Sequence, residues 1–176
     1  MLKRPKKNEY HPYFERYIEL VPDEELLDIL KSQQEATANL LQDISREQGE
    51  YRYEAKKWSL KEVLGHMADV ERTLSYHVLA IARGDAVSFT PFDKDLYMAN
   101  AHFSQLDFQE VLSDFSIVRN CTSSLLSCLP DNAWMRTGTV LNQPLTARAL
   151  AYIIAGHELH HQAIIKERYL QKYNCH

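Results

Sequence analysis

Glycine and proline are sparse, at 5 and 6 of 176 residues, and cysteine is sparser, at 3. So few turn-forming residues argue against many short strands and for long segments, and the glycines and prolines present do punctuate stretches of helical periodicity. An odd cysteine number excludes a fully paired disulfide framework, and no CxxC spacing supports a thiolate metal site or a redox role. In a helix, Cys121 and Cys128 would lie about 10 Å apart along the axis, too far to bridge, so they are expected to be reduced core thiols. Positive charge is not in excess. A formal net charge of -4 and a pI near 6.1 give no broad attraction to phosphates, so no nucleic-acid partner is expected. The early cluster Lys3, Arg4, Lys6 and Lys7 is expected to be a solvated tail. No apolar run is long enough to span a bilayer, and no signal-peptide hydrophobic segment follows the basic start. No membrane association and a cytoplasmic location are therefore expected. A P-loop, a dinucleotide fingerprint and a nucleophilic serine elbow are also missing.

What is present fits a single domain over residues 1–176, with 45% hydrophobic and 25% charged residues, enough for a substantial core. Residues 1–21, rich in tyrosine at Tyr10, Tyr13 and Tyr17, are expected to pack on that domain as an N-terminal extension. Four long amphipathic helices follow. The first spans 23–47, with acidic residues near its start and Leu26, Leu27, Leu30, Leu40, Leu41 and Ile44 as apolar positions. The second opens on the capping-box pattern Ser59-Leu60-Lys61-Glu62, carries Val63, Met67, Val70, Leu74, Val78 and Ile81 on one stripe, and closes at Gly84. The third starts at Asp107-Phe108-Gln109-Glu110 and ends at Leu129-Pro130, and the fourth runs from a Thr146 cap to about Tyr173. Residues 84–106 and 130–146 form two long connections, the first with a candidate short helix over 93–101, and connections of that length are often functional. Four stripes that bury against one another make an all-α four-helix bundle, whose interior is a usual place for metal sites.

The chemistry concentrates in the fourth helix. His157 and His161 are one turn apart, with Cβ atoms roughly 5–6 Å from each other, so both imidazoles can reach one cation at roughly 2.0–2.1 Å. At about 100° per residue they share a seam with Leu150, Ile154, Ile164 and Arg168, and so point into the core. His160 falls off this seam by roughly 80–100° and is expected to flank the site. Two histidines hold a metal weakly, so a third ligand should come from another helix, and the second helix offers His66 and His77. These are separated by about 16 Å along its axis, so only one can join, and periodicity does not choose between them. His11, His102 and His176 are expected to be solvated.

The run Lys57-Trp58-Ser59-Leu60-Lys61-Glu62 through Gly65-His66-Met67-Ala68-Asp69 to Arg72, with Pro91-Phe92-Asp93-Lys94-Asp95-Leu96-Tyr97 and the later His157-x-x-x-His161, resembles the DinB-like superfamily. That superfamily includes YfiT-type metal-dependent hydrolases and bacillithiol or mycothiol transferases. The resemblance spans nearly the whole chain, and its order of motifs is more specific than any one of them. It selects His66 over His77 and implies a three-histidine site of His66, His157 and His161 around a divalent ion, nickel or zinc foremost. Imidazoles alone do not separate nickel, zinc, iron and manganese. It implies a four-helix bundle that is often dimeric, with water completing the metal. An open fourth position suits a catalytic rather than a closed structural site, with a small-molecule substrate and with a low-molecular-weight thiol as a candidate cofactor. No catalytic residue is assigned; a metal-activated water or thiol is expected in that role.

Three readings compete. The leading one is a metal-dependent transferase, using a thiol, or a hydrolase acting on a small molecule; the second is a non-catalytic metal-binding or stress-response module. The third takes His157-Glu158-Leu159-His160-His161 as the HExxH pattern of zinc peptidases, with Glu158 as general base. The metzincin extension fails, because Ile164 and Glu167 stand where it needs glycine and histidine, and Glu158 projects about 100° from His157. Glu158 is therefore expected to be an outer-sphere or surface carboxylate. Arg72, Asp95, Tyr97 and Arg168 are candidates for the mouth of the site. A second apolar strip on the fourth helix, Tyr152, Leu159, Ala163 and Leu170, needs a cover, either the N-terminal segment or another subunit of a homodimer.

Overall fold

The computed structural model describes residues 2–85, 88–90 and 93–171. The chain enters through α1 (Glu15–Ile18), preceded by two short 3-10 turns, and then forms α2 (Leu26–Leu41), α3 (Arg46–Glu50) and α4 (Leu60–Ala82). Strand β1 (Ser88–Phe89), α5 (Lys94–Ala101), α6 (Phe108–Ser127), β2 (Thr137–Val140), β3 (Gln143–Thr146) and α7 (Ala147–Ile164) complete it. The four long helices α2, α4, α6 and α7 make the bundle. Three of them, α4, α6 and α7, begin where their local chemistry places them, whereas α2 starts at Leu26, after the expected 23, with no side-chain cap. The Ser59 hydroxyl accepts from the Glu62 N–H at 3.2 Å while Glu62 accepts from the Ser59 N–H at 2.7 Å. Glu110 likewise accepts from the Asp107 N–H, and Thr146 accepts from the Ala149 N–H at 3.0 Å. Past Ile164 the last helix widens into a π-helical turn, Ile165–Leu170; its expected end near Tyr173 lies outside the described residues.

Three features differ from expectation. The first long helix does not continue from 23 to 47: Ser45 caps a separate helix, accepting from the Gln48 N–H while the Gln48 side chain returns to the Ser45 N–H, and this second start divides the segment. The connections carry a small sheet of order β1-β2-β3, with β1 parallel to β2 and β2 antiparallel to β3. Leu141 and Asn142, both at positive φ, turn the β2–β3 hairpin. Cys121 and Cys128 are exposed rather than in the core, because the buried stripe of α6 runs through Val111, Phe115, Val118, Thr122 and Leu126 and leaves both on the outer face. Cys175 lies outside the described residues.

Apolar packing divides along the bundle. One cluster joins the C-terminal part of α4 to α1, α2 and the first half of α7; the other joins the N-terminal parts of α4 and α6 to the π turn. Between them lies a polar layer. Arg119 on α6, fully buried, donates to both carboxylate oxygens of Glu71 on α4 at 2.8 and 2.7 Å. It also donates to the Leu30 carbonyl and the Gln33 amide oxygen on α2, each at 3.2 Å, and its Nη2 lies 2.6 Å from Glu158 Oε2 on α7. One side chain therefore touches all three other long helices.

The N-terminal segment crosses α7. Tyr152 donates its hydroxyl to the Leu2 carbonyl at 2.9 Å, and a Cβ at Gly156 would stand 2.0 Å from the Tyr17 carbonyl oxygen. The same chain thus covers the Tyr152 end of the second apolar strip. Leu170 is buried in the second cluster, Leu159 is half-buried and Ala163 exposed.

Candidate metal centre

His66 comes from α4 about two turns after its capped start, and His157 and His161 come from successive turns of α7. These two helices pack directly against each other, and each of the three histidines offers a nitrogen within 4.8 Å of the others. His157 and His161 face one another through their Nε2 atoms at 3.1 Å. The His66 ring centroid lies 5.3 Å from that of His157 and 5.1 Å from that of His161. His77 does not join them: it stacks on Phe89 at 3.7 Å.

Burial sets the protonation of the cluster. It holds His66 down at about 4, with Lys94 adding to the effect, and His161 at about 3, with His66, His160 and Arg16 adding to it. His157 is also pushed well below its ordinary value, first by burial and then by His161. All three are neutral near pH 7, the form that coordinates a metal. A divalent ion fits these residues. Two neutral imidazoles facing through Nε2 share at most one proton, so among the described residues hydrogen bonding leaves this buried pair only partly satisfied, and His161 Nδ1 has no partner. A separation of 3.1 Å suits two nitrogens each roughly 2.0–2.1 Å from one ion.

His66 and His161 line a cleft of about 390 Å³. Tyr17, Tyr53, Trp58 and Tyr169 form aromatic walls, and His160 lines it too, its ring 5.5 Å from that of Tyr17. Tyr169 is fixed by donating to the Trp58 carbonyl at 2.7 Å. Of the expected mouth residues Asp95 lines the cleft, whereas Arg72 pairs with Asp69 and Asp114 outside it, and Tyr97 and Arg168 are exposed away from it. Sequence reasoning missed Arg16, Lys56, Lys57 and Lys94, which sit there instead. Each lies in a short helix or loop, where no periodic stripe marks direction. His11 caps a 3-10 turn by accepting from the Tyr13 N–H at 3.1 Å, and His102 is exposed; His176, like Pro91 and Phe92, lies outside the described residues.

Of the two places expected for Glu158, outer-sphere or surface, the structure excludes the surface. The residue is 2% exposed, and its Oε1 accepts from Thr37 at 2.6 Å and from Gln162 at 3.2 Å, with Arg119 at its other oxygen. Burial raises its pKa, with Arg119 opposing. A carboxylate so occupied in the polar layer is not presented to the cleft, and the HExxH reading loses its general base.

No curated protein matches the chain. Among solved structures it is similar to YfiT from Bacillus subtilis, inferred to be a metal-dependent hydrolase with an unusual four-helix bundle topology, at a TM-score of 0.71 and 16% identity. That match covers 97% of this chain and 93% of YfiT. It is also similar to a mycothiol-dependent maleylpyruvate isomerase, with a TM-score of 0.64 and 14% identity, over 82% of this chain and 61% of the isomerase. At these identities the likeness concerns the fold. The family model of the DinB superfamily matches residues 29–165, a span that includes all three clustered histidines, and the chain belongs to that superfamily.

Proposed function

We propose that this protein is a metal-dependent enzyme acting on a small molecule, with His66, His157 and His161 holding one divalent ion, nickel or zinc, at the floor of the cleft. The observation that carries this reading is the convergence of three neutral, largely buried imidazoles from two helices, two of which, His66 and His161, line a cleft of about 390 Å³. With three neutral ligands the site would leave the ion a further coordination position, and a bound divalent ion would supply Lewis-acid chemistry that lowers the pKa of a water or thiol. The chain's own groups wall the cleft with aromatic rings and hold the histidines neutral through burial. Hydrolysis is in keeping with the likeness to YfiT, and a low-molecular-weight thiol as cofactor with the likeness to the mycothiol-dependent isomerase. The cytoplasm and a homodimer complete the reading.

Elemental analysis of the purified protein tests it directly. One equivalent of nickel or zinc per chain is expected, with metal-dependent turnover on a panel of thiol-acceptor, ester and amide substrates, and both lost in His66→Ala. Light scattering on the same sample should give twice the 20.5 kDa chain mass. Tight metal binding without turnover would favour the non-catalytic module, and a His66→Ala protein that binds metal as well as the parent would end the three-histidine reading.

A further inference from the structure

The cleft above the histidines carries a charge opposite to that of the whole chain. Arg16, Lys56, Lys57 and Lys94 line it against a single carboxylate, Asp95, whereas the chain is formally -4. The cations come from three separate segments: Arg16 from α1, the two adjacent lysines from the loop before α4, and Lys94 from the start of α5. Three of them lie over aromatic faces, Lys57 at 6.0 Å from the Tyr53 ring centroid. The Arg16 guanidinium lies 4.2 Å from the Tyr13 ring centroid and 4.7 Å from that of Tyr17, and it donates to both hydroxyls. Lys94 lies 5.2 Å from the Trp58 centroid. Lys94 pairs with Asp95 at 2.8 Å, but among the described residues Arg16, Lys56 and Lys57 have no carboxylate partner within ion-pairing distance.

We infer that the cleft binds a small anionic molecule with a flat or aromatic body, its carboxylate or phosphate taken by Arg16 and Lys94 at the rim and its body lying between Tyr53, Trp58 and Tyr169. A guanidinium fixed by stacking meets such an oxyanion with little ordering left to do, and its fork suits two oxygens at once. Like-signed charges lining a cleft with aromatic walls concentrate the field and draw in anions. About 390 Å³ sits near the small end of ligand pockets, which suits a metabolite-sized molecule. The position of Arg16 follows from Gly156, which lets the backbone at Tyr17 come down onto α7 beside His157.

This inference rests on the cleft being the substrate site, but the anion contacts are made by protein side chains and do not need the metal. The test is calorimetric titration of benzoate, phenyl phosphate and neutral benzamide into EDTA-treated and zinc-loaded protein. Benzoate or phenyl phosphate should bind the metal-free protein at least about tenfold more tightly than benzamide, the weight of a charge-assisted hydrogen bond, and the tighter of the two identifies the head group. Arg16→Gln and Lys94→Gln should each weaken the anion by about tenfold, leave benzamide affinity unchanged, bind zinc no more weakly than the parent because a repelling cation is gone, and retain the parent's circular dichroism. Arg16→Lys should fall between. Equal affinity for benzamide and the anions, anion binding indifferent to both Gln variants, or no saturable anion binding at millimolar concentration each overturns the inference. Charge-blind binding with zinc affinity intact would sink it alone, whereas Arg16-dependent benzoate binding with no zinc affinity would sink only the metal reading.

Discussion

Arg119 shows how much one side chain decides. It is fully buried, and burial alone would drive its charge off, but Glu158 and Glu71 outweigh that and hold its pKa above the usual value. Arg119→Met removes the cation and leaves two buried carboxylates facing apolar surroundings, which costs about 3–5 kcal/mol. Urea unfolding is expected to show that loss, and a change below about 1 kcal/mol would mean the carboxylates find other partners. The signal for this residue was in the sequence, since Arg119 lies on the stripe of Phe115, Thr122 and Leu126. Its partners were not, because helical projection gives the angle at which Glu158 leaves α7 but not what stands opposite. The same limit applied to the histidines. The 157/161 pair shares one helix and is fixed by the i, i+4 rise, while the choice of His66 over His77 depends on where α4 crosses α7.

At the scale of elements, Gly156 governs the fit of the N-terminal segment onto α7. A Cβ there would meet the Tyr17 backbone, and backbone cannot rotate out of the way as a flexible side chain can. Gly156→Ala should therefore lift α1 off the bundle, lowering stability by about 1–3 kcal/mol and Tm by several degrees. An unchanged Tm would show that α1 does not hold the contact in solution. This outcome opposes the usual gain in helix propensity on replacing glycine by alanine. Helix starts at Ser59, Asp107 and Thr146 were legible because a cap is a contact within four residues. The break at Ser45 was equally local and was overlooked, since the pattern Ser45-Arg46-Glu47-Gln48 lies inside a run that reads as continuous helix. The three-stranded sheet was hidden for a different reason: β1 pairs with a strand roughly fifty residues away, and two to four residues carry too little periodicity to show it.

The whole molecule responds to pH through the histidine cluster. His66 and His161 titrate at about 4 and about 3 in the folded protein against an ordinary 6.5, so above pH 6.5 they are neutral in both states and cost nothing. As pH falls below 6.5 the unfolded chain takes up protons that the folded one refuses, and stability declines down to about 4 for His66 and about 3 for His161. Metal-free protein should therefore lose more stability between pH 7 and pH 5 than a His66→Gln/His161→Gln variant, as read from urea midpoints. If the difference between the two proteins is the same at both pH values, the imidazoles are not buried as described. The comparison with the variant matters because Glu158 and Asp69, whose pKa values burial raises, act in the opposite direction.

By itself, the amino-acid order determined the helical class, three of the four long-helix starts and the histidine pair on α7, all properties of residues within a few turns of one another. The resemblance carried by the motifs added the third histidine. Only the tertiary structure decided that Arg119 and Glu158 meet in a sealed polar layer, that both assigned cysteines face outward, and that four cations gather over the histidines. Those outcomes depend on which faces of distant segments come together. Helix crossing and the docking of the N-terminal segment set that, through packing contacts between side chains that lie up to about 140 positions apart in the chain.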